Sequence, residues 1–115
     1  PHLPHGWDAG VLFEEKNKTL LCSDLLHQNG DLPELTDKDI LGVHRKSLLE
    51  FEQGPLMGYT PYTARTGRLL KTLADLDPKT LATMHGSSFN GDCKKVLTDL
   101  DTVLREVWES EQMQP

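Results

Sequence analysis

Between Val96 and Trp108 the apolar residues Val96, Leu97, Leu100, Val103, Leu104, Val107 and Trp108 recur at helical spacing. That is the period of an α-helix with one apolar face. Such a stripe has to be buried against a second layer of structure, so the question is what the remaining residues supply. They supply short apolar runs of strand length. Gly10 to Phe13 and Thr19 to Cys22 flank the charged segment Glu14-Glu15-Lys16-Asn17-Lys18 and predict a β-hairpin. Neither run alternates strictly, so both strands are expected to be buried on both faces, within a layered α/β structure. Thr80 to Met84 predicts a third strand, running directly into His85-Gly86-Ser87-Ser88.

Two more helices complete the expected pattern. The first covers about Lys38 to Phe51, carries Ile40, Leu41, Leu48 and Leu49, is capped by Thr36 or Asp37, and stops at Gln53-Gly54-Pro55. The second covers about Tyr62 to Leu76, with Leu69, Leu70, Leu73 and Leu76 on one face, and stops at Asp77-Pro78. Leu25 to Thr36, with Asn29-Gly30-Asp31 and Pro33, reads as loop. Asn90 or Asp92 is placed to cap the last helix, and Glu109 to Pro115 is a polar tail expected to fray. Gly54 to Pro61, with Tyr59 inside it, is either a substrate-facing loop or a turn whose tyrosine packs on the core.

The 115 residues are enough for a single domain. Their net charge of −6 opposes phosphate backbones, which makes nucleic acid an unexpected ligand. No run reaches the ~20 apolar residues of a membrane helix, and no signal-peptide pattern stands at the start. Cys22 and Cys93 are expected to be free thiols in a reducing, cytoplasmic setting. The opening Pro1-His2-Leu3-Pro4-His5-Gly6-Trp7 is loop chemistry, as if the chain began inside a longer protein.

Chemistry is expected at strand ends, where α/β sites collect. His5 precedes the hairpin, Asp24 follows its second strand, and His85 follows the third strand. If they converge, two imidazoles and a carboxylate suit zinc or non-haem iron. If they do not, they are ordinary loop, turn and cap residues.

The spacing of these landmarks bears on that choice. His5-Gly6-Trp7-Asp8-Ala9-Gly10-Val11-Leu12-Phe13, then Thr19-Leu20-Leu21-Cys22-Ser23-Asp24-Leu25-Leu26, and finally Thr83-Met84-His85-Gly86 resemble, in that order, the second half of the metallo-β-lactamase superfamily. There a histidine opens a hairpin, the next strand ends in a small residue and a bridging aspartate, and a late strand ends in the last metal-binding histidine. The resemblance implies an α/β fold that is half of an αββα sandwich, one sheet with covering helices. It assigns His5 to the first metal, Asp24 to the bridge and His85 to the second metal. His2 competes with His5, which is preferred because its stretch to Phe13 matches the family distance without a gap. His27 is either a residue supporting the site or an ordinary loop histidine, and His44, inside the first helix, is structural.

The family's H-x-H-x-D-H loop is absent from this sequence. The resemblance therefore implies a dinuclear zinc or iron hydrolase of a small-molecule ester, thioester, amide or phosphoester in the complete protein. The chain alone is expected to be inactive, with a half-occupied site or none. A flavodiiron-like protein that binds or reduces oxygen is the alternative within the fold. A non-catalytic acidic interaction module is the alternative outside it. The sheet face that lacks its partner sheet is expected to drive self-association.

Overall fold

The computed structural model describes residues 10–52 and 61–112. His2, His5, Tyr59 and the last three residues lie outside the described residues. The hairpin forms as expected from β1 (Leu12–Glu14) and β2 (Thr19–Ser23), paired antiparallel. Its turn is closed by the Glu14 carboxylate, which accepts from the Lys16 and Asn17 amides at 3.1 and 2.8 Å. After β3 (Leu35–Thr36) come α1 (Leu41–Glu52) and α2 (Thr66–Asp75), then β4 (Thr80–Thr83), β5 (Ser88–Phe89) and α3 (Cys93–Gln112). The chain is thus α/β, with three helices and one five-stranded mixed sheet in the order β1-β2-β4-β5-β3. No helix among the described residues is long and apolar enough to cross a membrane.

The periodic face of α3 seats the sheet. Leu97, Leu100, Leu104 and Val107 are buried in one cluster with Leu20, Leu81 and Phe89, the residues that line one side of β2, β4 and β5. Leu20 pairs with Phe13 on one side and Leu81 on the other, and Leu81 pairs with Phe89, so this inner row runs across four strands. The opposite side is open. Leu12 pairs with Leu21 and Leu21 with Ala82, and Leu12, Leu21 and Leu35 are 65%, 42% and 53% exposed. The expectation that both hairpin strands are buried on both faces is therefore corrected, since among the described residues helices cover only one face.

Several boundaries also move. Thr36 is taken into β3, and the cap of α1 is Asp39, whose Oδ1 accepts from the Leu41 and Gly42 amides at 2.9 and 3.2 Å. Helix α2 starts at Thr66 rather than Tyr62, and the Tyr62 hydroxyl instead donates to Asp101 on α3 at 2.6 Å. Its buried residues are Thr66, Leu70 and Ala74, while Leu69 and Leu76 are exposed. Asp77, in a left-handed conformation, ends it ahead of Pro78. Helix α3 begins under the Asp92 carboxylate, which accepts from the Lys95 amide at 3.1 Å, and its bounds run to Gln112.

Candidate metal half-site

Strands β2 and β4 are parallel neighbours, so their carboxyl ends lie at the same edge of the sheet. Asp24 leaves one end and His85 the other, and His85 Nε2 lies 3.3 Å from Asp24 Oδ1. The sequence places these residues far apart; the parallel pairing brings them together. The Asp24 side chain is 22% exposed and that of His85 64%, so the pair sits at the rim with its carboxylate recessed.

The turn that carries Asp24 is backbone-strained. Ser23 and Leu26 on either side of it adopt left-handed φ values of 54° and 63°, a conformation that costs a non-glycine residue of order 1 kcal/mol. Neighbouring bonds hold it. The Met84 amide donates to Ser23 O at 3.1 Å, Leu25 N to Cys22 O at 3.0 Å, and Gln28 N to His85 O at 2.7 Å. The turn after His85 needs Gly86, at φ 112°, and the Thr83 hydroxyl bonds to Ser87 O at 2.9 Å.

Behind Asp24 lies a buried ring cluster. His27 stacks on Phe51 with centroids 4.5 Å apart and meets the His44 ring edge-on at 5.0 Å. His44 Nδ1 is 2.7 Å from the His27 carbonyl oxygen. Because a carbonyl only accepts, Nδ1 carries the proton. Burial pushes the His44 pKa down to about 4. Burial, followed by the neighbouring His44, does the same to His27, also to about 4. His44 is structural, as expected. His27 is not a solvated loop histidine, since it is 2% exposed and packed between α1 side chains.

Cys22 and Cys93 are free and buried. Burial, with Cys93 adding to it, pushes the Cys22 thiol up to about 12, and burial raises Cys93 to about 11. Neither is a thiolate at neutral pH.

The pair can be tested against a metal by geometry. Two donors about 2.1 Å from one tetrahedral ion stand about 3.4 Å apart, and the observed separation is 3.3 Å. That distance is compatible with two ligands of one ion and equally with a direct ion pair between the imidazole and the carboxylate. Among the described residues no three His, Cys, Asp or Glu side chains form a metal-holding group, and His5 lies outside the described residues.

Gln28 is the residue the sequence reading missed. It is 3% exposed and bonds to the backbone of the His85 turn. Nothing local signals this, because its partner is remote in sequence. The glycine of the His85-Gly86-Ser87-Ser88 turn was the only visible half of that contact. Comparison with family models, curated proteins and solved structures gives no match.

Proposed function

We propose that this chain is the C-terminal part of a metallo-β-lactamase-like, metal-dependent hydrolase of a small-molecule substrate, inactive without the ligands of an H-x-H-x-D-H segment. The observation that carries the reading is the approach of Asp24 and His85 from two parallel strand ends at ligand-to-ligand distance. In this reading Asp24, with two carboxylate oxygens, spans two ions, His85 ligates one through Nε2, and His5 ligates the other. A zinc or iron pair, when bound, supplies Lewis acidity and a nucleophile at neutral pH. The protein's part is to hold the carboxylate recessed and oriented on a strained turn while His85 faces the opening. Two buried free thiols support a reducing, cytoplasmic setting.

The open sheet face supports a second element of the proposal, self-association. Leu12, Leu21 and Leu35 lie exposed on it, and a second copy presenting the same face would cover it around a two-fold axis. Sedimentation velocity at micromolar concentration tests this: dimers are expected, and a clean monomer overturns it.

Metal content of the chain tests the functional reading, measured by mass spectrometry after incubation with zinc or ferrous iron and removal of unbound ion. Retained zinc that disappears in His85→Ala supports it. Selective retention of iron with oxygen consumption replaces hydrolysis by the di-iron alternative. Retained metal that is unchanged in both Asp24→Ala and His85→Ala overturns the metal reading.

A further inference from the structure

We propose that Gln28 is a positioning residue, whose side-chain amide clamps the turn after β4 to the turn after β2 and thereby sets the separation of Asp24 and His85. The proposal rests on the reading of that pair as a metal half-site. All the polar groups of Gln28 that could hold the two turns together are used. Nε2 donates to Ser87 O at 2.9 Å and to Leu26 O at 3.2 Å. Oε1 accepts from Ser87 N at 3.3 Å. Its backbone amide donates to the carbonyl of His85 at 2.7 Å.

The β2–β4 ladder ends at Ser23 and Thr83, before either site residue is reached. Beyond that point the amide of Gln28 takes over the ladder's role, exchanging one donor and one acceptor with Ser87 as a paired strand residue would. The clamp reaches the chain four residues after Asp24 and two residues after His85, so it acts on both segments that carry the pair. The fit is close on the other side as well. A Cβ on Gly86 would stand 2.5 Å from Gln28 Cβ, so the glycine turn lies directly against this side chain.

A clamp that orients metal ligands changes affinity about 10–100-fold when it is removed. Gln28→Met keeps the length of the side chain and removes its hydrogen bonds. Gly86→Ala pushes on the same contact from the opposite turn and serves if Gln28→Met does not fold. Leu104→Ala destabilises the core without removing any of the clamp's hydrogen bonds and controls for a merely structural effect. Two readouts are taken on each: the zinc dissociation constant by calorimetry, and the nuclear Overhauser contact between the His85 ring protons and the Asp24 methylene.

Zinc binding 10-fold or more weaker and loss of the Overhauser contact in Gln28→Met or Gly86→Ala, with both preserved in Leu104→Ala, support the proposal. Unchanged affinity and contact in both clamp variants overturn it, as does an equal loss in Leu104→Ala. If the unmodified chain binds no zinc but the contact still depends on Gln28, the metal reading fails and the positioning role stands.

Discussion

Acidification should unfold this domain through His44 well before its carboxylates are neutralised. The His44 Nδ1 proton is committed to the His27 carbonyl, and Nε2 is buried with no hydrogen-bond partner among the described residues. A second proton would place an uncompensated charge there. The unfolded chain takes up that proton near pH 6.5, the folded chain only near 4. Between those values the unfolded state binds more protons, so stability falls as pH falls. Above 6.5 the contribution is fully present, and below 4 it is lost. For one histidine lowered to about 4, the loss between pH 7 and pH 5 is about 2 kcal/mol. His27, lowered equally, brings the pair to about 4 kcal/mol. That is a large share of the ~5–15 kcal/mol that holds a domain folded. Urea unfolding at pH 7, 6 and 5, followed by circular dichroism without metal, measures it. His44→Gln keeps an N–H for the His27 carbonyl and cannot titrate, so its loss over the same range should be smaller by about 2 kcal/mol. Parallel pH dependences of the variant and the unmodified chain would refute the argument.

Three further outcomes follow from the packing. Leu100→Ala, at a fully buried position of α3, should cost about 2–5 kcal/mol in urea unfolding, because the sheet cannot collapse into the cavity. Asp39→Ala removes the carboxylate that accepts two amides at the start of α1 and should cost about 1 kcal/mol, with Asp39→Asn retaining most of it. Leu21→Lys, on the open face of the sheet, should shift sedimentation toward monomer while changing unfolding free energy by no more than about 0.5 kcal/mol.

What could be read in the sequence is what local pattern encodes. Helix α3 was legible because its stripe repeats over more than three turns, and β2 and β4 because each is an apolar run bounded by turn residues. Strands β3 and β5 were not, because two residues each carry no period and exist only through their pairing with one another and of β5 with β4. The buried face of α1 was half legible. Ile40 and Leu48 stood out, whereas His44 and Ser47 share that face as polar residues, each hydrogen-bonded to a backbone group remote in sequence. Leu49 and Leu69 misled, since hydrophobicity does not say which side of a helix is covered. Asp24 and His85 were found as strand ends, but their meeting depends on β2 and β4 being neighbours, which is a property of topology. Gln28 was invisible for the same reason.

The central claim is that Asp24 and His85 act together as metal ligands, and calorimetric titration of the chain with zinc tests it most directly. The account predicts one zinc bound per chain, with affinity lost in Asp24→Ala and in His85→Ala and kept in Leu104→Ala. Zinc binding that survives both ligand substitutions would contradict it.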